Sequence, residues 1–113
     1  MARVKYIPCR GDIVWIDFDP TKGHEQSGRR PAMVVSLDAY NAISGRALFC
    51  PITSKIKGHV FDVLYEGEKV KGVILADQVR TMDWSKRDLV FVEKAPVTVA
   101  DEVEGKLLTL IQG

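Results

Sequence analysis

Residues 12–18 alternate with a period of two. Ile13 and Trp15 fall on one side of an extended segment, and Val14, Ile16 and Phe18 fall on the other. Both sides are apolar, as a small barrel or a dimer-forming sheet requires. A second apolar strand is expected over 32–37. The connection between them, 19–31, is far longer than a hairpin needs, and long ordered loops on a rigid sheet tend to carry binding chemistry. Residues 38–44 predict a short helix, with Asp38 as its N-cap and Gly45 as its stop.

A third strand is expected over 47–52, and Pro51 places its far end at an edge or a bulge. Residues 53–59 form a polar, basic loop. Further strand segments follow over 60–64, 72–76, 78–82 and 89–92, with Glu66-Gly67-Glu68 as a turn. The period then changes. Val99, Val103, Leu107 and Leu110 recur at spacings of 4, 4 and 3, which predicts an amphipathic helix after Pro96. Thr98 with Asp101 offers a variant capping box, and Asp101, Glu102 and Glu104 suit a helix N-terminus. The pattern as a whole predicts a mostly β domain with a C-terminal helix.

The length of 113 residues, 46% hydrophobic and 27% charged, fits one globular domain with one core. No apolar run approaches the roughly 18 residues that cross a bilayer. Residues 1–6 have no apolar stretch behind their charges, so no secretory signal is expected. Cys9 and Cys50 are too few for a disulfide framework and lack a metal-ligand spacing. The cytoplasm is the expected compartment. The net charge of +1 is uninformative, but it is unevenly spread. Residues 1–60 hold nine Lys/Arg against five Asp/Glu, and residues 61–113 hold seven against ten. A basic first half fits a polyanionic partner, although a chance asymmetry on a solvated surface fits it too.

The candidate chemistry lies in the two loops. His24 and His59 are the only histidines, and no HxxH or CxxC spacing accompanies them. No nucleophile elbow or P-loop is present. What remains suits a phosphodiester. Arg29 and Arg30 can donate forked hydrogen bonds to phosphate, or can be solvated loop charges. Thr53 can donate a hydroxyl or simply end a strand, and Glu25 can accept a proton or cap its loop. Single-stranded RNA brings its own nucleophile, the 2′-OH, so a base, an acid and cations suffice for cleavage. Arginine stabilises charge but is a poor base, with a pKa above about 12. Asp77 reads more readily as a buried hydrogen-bonding anchor than as an acid. Trp15 suits the core or an interface, and Trp84 suits the core or a base-stacking platform.

These segments occur in a known order. Gly11-Asp12-Ile13-Val14-Trp15, Asp19-Pro20-Thr21-Lys22-Gly23-His24-Glu25-Gln26 and Gly28-Arg29-Arg30-Pro31-Ala32 are followed by Tyr40-Asn41 and Pro51-Ile52-Thr53-Ser54. Gly72-Val73-Ile74-Leu75-Ala76-Asp77-Gln78-Val79 and Asp83-Trp84 complete the set, which resembles the MazF/PemK/Kid toxin family and its MazF branch most. The resemblance implies an SH3-like small β-barrel of the CcdB/PemK type, working as a homodimer. It implies a toxin of a type II toxin-antitoxin system: a metal-independent, cofactor-free endoribonuclease that cuts single-stranded mRNA at a short sequence and so inhibits translation and growth. Products would carry 2′,3′-cyclic phosphate and 5′-hydroxyl ends. It also implies an acidic, MazE-like antitoxin that covers the RNA groove.

Carried over by position, Arg30 and Thr53 are the catalytic pair, with Glu25 as auxiliary. RNA contacts are expected at Lys22, Gln26, Arg29, Asn41, Ser54, Lys55, Lys57 and His59. The Kid-type set uses the equivalents of His24 and Asp77 with an arginine two positions before the aspartate. Leu75 stands there, so His24 and Asp77 rank as possible auxiliaries. Two other readings compete: a CcdB-like gyrase poison that acts by binding protein, and an inactive relative that only binds RNA or antitoxin. The gyrase poison depends on a Trp-Gly-Ile terminus, whereas this chain ends Leu110-Ile111-Gln112-Gly113.

Overall fold

The computed structural model describes residues 6–19 and 28–113. In chain order the elements are β1 (Asp12–Asp17), β2 (Arg29–Val34), α1 (Asp38–Ser44), β3 (Ala47–Thr53), β4 (Asp62–Glu66), β5 (Lys71–Leu75), β6 (Arg80–Met82), β7 (Val90–Lys94) and α2 (Val97–Gln112). Short 3-10 turns occupy Ala76–Gln78 and Trp84–Lys86. The strands form one curled antiparallel sheet in the order β4-β5-β3-β2-β1-β7, and β6 pairs with the first half of β3. This is the half-open small barrel with a C-terminal helix that the resemblance implied.

The period-two pattern of β1 separates two cores. Ile13 joins Met33, Cys50, Ile52, Tyr65 and Ile74 on one face. Val14, Ile16 and Phe18 join Ala32, Val34, Phe49 and Met82 on the other. Helix α2 closes the first core with Ala100 and Val103, and Trp84 and Leu89 pack against the second. Fully burying an aliphatic side chain contributes about 1.5–3 kcal/mol, whereas an exposed ion pair contributes at most about 1 kcal/mol. Val103 therefore does more to hold α2 than the bridge from Arg10 to Asp101 at 2.9 Å.

Several boundaries and caps differ from expectation. β2 begins at Arg29 rather than Ala32, because Asp17, Ile16 and Trp15 pair with Arg29, Arg30 and Pro31. Both arginines thus belong to a strand, not to a loop. Helix α1 spans the expected residues, but Leu37 is its N-cap and no side chain caps it. Gly45 ends it at φ 70°, in the left-handed region that favours glycine, and its N–H donates to Asn41 O at 3.1 Å. Pro96, not Thr98, is the N-cap of α2, and again no side chain caps it. Asp101 bonds to Arg10 instead.

Pro51 sits where β3 changes partners, between Phe49 opposite Arg80 of β6 and Ile52 opposite Ile74 of β5. Alternate residues of an antiparallel strand direct their N–H groups to alternate sides. Leu48 bonds toward β2, so Pro51 faces the gap, and its missing N–H removes no ladder bond.

Asn41 is a correction. It was expected to contact RNA, yet its side chain is fully buried. Its amide nitrogen donates to Pro8 O at 2.7 Å and Ser36 O at 3.1 Å, and its oxygen accepts from the Ser36 hydroxyl at 2.5 Å. Trp84 is tied into the same corner, because its Nε1–H donates to Asn41 O at 3.1 Å. That bond and its core packing make Trp84 structural rather than a stacking platform. Asn41→Ala orphans buried acceptors and should cost about 2–3 kcal/mol of stability, read as a lower urea midpoint at unchanged m.

Candidate active site

The adjacent arginines take opposite directions because they lie on a strand. Arg29 is committed: its guanidinium donates to Asp88 O at 2.9 Å and to the Asp88 carboxylate at 3.1 Å. Arg30 is exposed, and its guanidinium has no hydrogen bond or ion pair among the described residues. Ala32, Met33 and Val34 lie opposite Pro51, Cys50 and Phe49. Arg30 and Thr53 lie two positions beyond the last of these pairs, with the same strand parity as Ala32 and Phe49, and they line the same hollow.

Arg30 lines three adjoining hollows. One of about 220 Å³ holds it with Thr53, Lys55, Lys57, His59 and Gln78. Another, of about 440 Å³, adds Trp15, Ser54, Lys69 and Lys71. The third, of about 630 Å³, runs past Phe18, Asp19, Gln78 and Arg80. The three share Arg30 and form a basic trough around one end of the sheet, with the Trp15 hollow on the side of the first core. The face that Arg30 shares with Ala32 and Val34 is filled with apolar side chains at its other end, around Phe49 and Met82.

Local structure fixes the Thr53 hydroxyl. Its oxygen accepts from Lys55 N–H at 3.2 Å, which leaves its proton free to donate outward. Gly72 lets β5 press against this residue, because a Cβ there would stand 2.3 Å from Thr53 O. The loop after Thr53 is pinned at its far end. His59 N donates to the Asp62 carboxylate at 3.3 Å, and the Lys106 ammonium donates to Val60 O and Asp62 O at 2.7 and 2.9 Å.

Of the residues expected from sequence, Arg30, Thr53, Ser54, Lys55, Lys57 and His59 converge on the trough. Arg29 reaches its rim but is held by Asp88. Lys22, His24, Glu25 and Gln26 lie outside the described residues. Asp77 was read as a buried anchor; it is exposed. The 3-10 turn over Ala76–Gln78 buries Ala76 and turns its neighbour outward. Cys50, close by, is inert. Burial, and then the negative charge of Asp77, push its thiol up to about 12.

Gln78, Arg80, Lys69 and Lys71 escaped the sequence reading. Arg80 stacks over Phe18, 5.5 Å from the ring centre. Their signal is positional: only strand pairing shows that Gln78 and Arg80 share a face with Pro51 and Phe49. Among the described residues no cluster of three His, Cys, Asp or Glu could hold a metal ion, and no helix is long and apolar enough to cross a membrane.

The family model for the PemK-like, MazF-like toxin of type II toxin-antitoxin system matches residues 9–111. The chain belongs to this family. The endoribonuclease toxin MazF of Escherichia coli K12 is 48% identical over 83 residues, covering 74% of this chain and 75% of that one. A crystal structure of MazF from Deinococcus radiodurans superposes with a TM-score of 0.86 at 44% identity, covering 96% of this chain and all of that one. A MazE-MazF crystal structure from the same organism gives 0.83 at 41% identity, covering 95% and 97%.

One wall of this MazF-like trough is held by Glu93 on β7. Its carboxylate accepts from Tyr65 O–H at 2.6 Å, Lys69 N–H at 3.0 Å and Val70 N–H at 3.3 Å. Burial pushes the Glu93 carboxyl up, but these donors and the Glu68 amide outweigh it and hold it below its ordinary range. The fold therefore favours the charged form. Its contribution is full above the unfolded pKa and is lost as pH falls through the folded value. Glu93→Gln should cost about 1–2 kcal/mol at pH 7. In urea titrations the gap from wild type should narrow as pH falls through and below the ordinary carboxylate range.

Proposed function

We propose that this chain cleaves single-stranded mRNA at a short sequence, without a metal and independently of the ribosome. It is an endoribonuclease toxin of the type II class, as its membership of the family and its similarity to curated MazF support. The observation that carries the mechanism is the uncommitted Arg30 guanidinium lining one basic hollow with the Thr53 hydroxyl.

A base takes the 2′-OH proton, and the 2′-oxygen attacks the adjacent phosphorus. The bond from phosphorus to the 5′-oxygen breaks, and an acid protonates the leaving oxygen. The products are a 2′,3′-cyclic phosphate and a 5′-hydroxyl. Arg30 stabilises the charge that builds on the phosphoryl oxygens, and Thr53 donates to one of them. Glu25 is the proposed auxiliary for proton transfer, with His24 as a further candidate. Lys55, Lys57 and His59 hold phosphates along the trough, and Gln78 with Arg80 extends it.

The protein acts in the cytoplasm as a homodimer, and an acidic antitoxin covers the trough. The MazE-MazF complexes of a relative support that partner, and the cations of the trough that have no carboxylate partner among the described residues supply the charge complementarity. A CcdB-like gyrase poison is not favoured. The family match and the open Arg30–Thr53 face favour RNA.

The test is incubation of purified protein with a long single-stranded RNA in excess EDTA, beside Arg30→Ala. Wild type should give discrete cuts with cyclic phosphate ends. The folded variant should cut at least about 100-fold more slowly, the scale for losing one preorganised donor. Equal cutting by both would remove Arg30 from the reaction, and no cutting by folded wild type would overturn the proposal.

A further inference from the structure

Two sets of basic side chains stand apart among the described residues, with Arg46 and Lys86 in neither. Arg10, Arg29, Arg87, Lys94 and Lys106 are each paired with a carboxylate. Arg30, Lys55, Lys57, Lys69, Lys71 and Arg80 line the hollows and have no carboxylate partner among the described residues. Lys55 and Lys57 come from the loop after β3. Lys69 and Lys71 come from the β4–β5 hairpin and line a different hollow, with Trp15 and Ser54. Two cationic arms thus reach the Arg30–Thr53 pair from separate elements.

The second arm is built, not loose. Glu93 binds the backbone N–H groups of Lys69 and Val70, and Tyr65 braces the same carboxylate. The carboxylate accepts from neutral donors and forms no ion pair with the Lys69 ammonium, so it fixes the turn. Val70 is buried in the core, which points its two neighbours outward on the strand entering β5. Trp15 is 37% exposed beside them, an aromatic surface at the side of the hollow.

We infer that Lys69 and Lys71 bind the phosphates of nucleotides flanking the cut on one side, giving the enzyme an RNA footprint longer than the sequence it cleaves. The inference rests on the ribonuclease reading above. Each phosphate contact on a single strand contributes about 0.7 to the slope of log affinity against log salt. Loss of both lysines lowers that slope by about 1.4 and, at moderate salt, weakens binding by about tenfold. The cut sequence stays the same, because phosphate contacts carry no base information.

The experiment compares wild type, Lys69→Ser/Lys71→Ser and Lys69→Arg/Lys71→Arg. Cut positions are first mapped on a long RNA in EDTA. Affinity is then measured against salt by fluorescence anisotropy, using 2′-O-methyl oligonucleotides that span one mapped site and are extended by four nucleotides on the 5′ or the 3′ side. The serine variant should lose affinity and salt slope with one extension only and cut at the same positions, and its loss of activity should fall on KM rather than on kcat. The arginine variant should restore both. An unchanged slope on both extended probes, in a wild type that cuts, overturns the inference and leaves the nuclease reading standing. Equal losses on both extensions and on an unextended probe also overturn it, because they mean a general electrostatic or structural effect. A wild type that does not cut defeats the nuclease reading itself.

Discussion

Ala32, Met33 and Val34 of β2 lie opposite Pro51, Cys50 and Phe49 of β3, and this pairing decides which face carries Arg30 and Thr53, the proposed catalytic pair. A slip of one residue would send Arg30 or Thr53 to the wrong face and bury a polar group in a core. The slip is prevented because both faces are buried at the other end of the same strands. Met33 and Cys50 are locked in one core, and Ala32, Val34 and Phe49 in the other. The apolar end sets the register, and the polar end uses it.

The same logic sorts the charges. The paired cations hold elements together: Arg10 ties the lead-in to α2, and Lys94 meets the buried carboxylate of Asp12, which also accepts from Tyr6 and from Cys9 N–H. Around the trough, Arg30, Lys55, Lys57, Lys69, Lys71 and Arg80 have no such partner among the described residues. A surface arranged for stability would pair them or disperse them, since like charges brought together repel. A polyanion laid along the trough removes that repulsion, and this ties the electrostatics to RNA binding more firmly than a net charge of +1 ever could.

Much of this was legible in the sequence. The alternation of residues 12–18 showed two buried faces, Gly45 marked the end of α1, and the 4-4-3 spacing found α2. Misreadings came where tertiary contact outweighed local signals. Arg29-Arg30-Pro31 looks like loop chemistry, yet pairing with β1 makes it a strand and so separates the two arginines. Asn41, a polar residue in a family motif, is a core anchor, because a buried amide can satisfy three partners at a chain crossing. Asp77 looked buried between Ala76 and Gln78, but a 3-10 turn breaks the strand there. Lys69 and Lys71 carried no local signal at all. Their place depends on Glu93, 24 residues from Lys69 in the chain.

The central claim is that Arg30 and Thr53 act as one unit across β2 and β3. The most direct measurement is a double-mutant cycle in single-turnover cleavage of a mapped RNA site, with Arg30→Ala, Thr53→Ala and the combined variant at equal folded concentration. Groups that serve the same transition state are strongly non-additive. The account predicts that the combined variant is scarcely slower than the more damaging single one. Losses that multiply independently would contradict it, since they would place the two side chains at separate steps or separate sites.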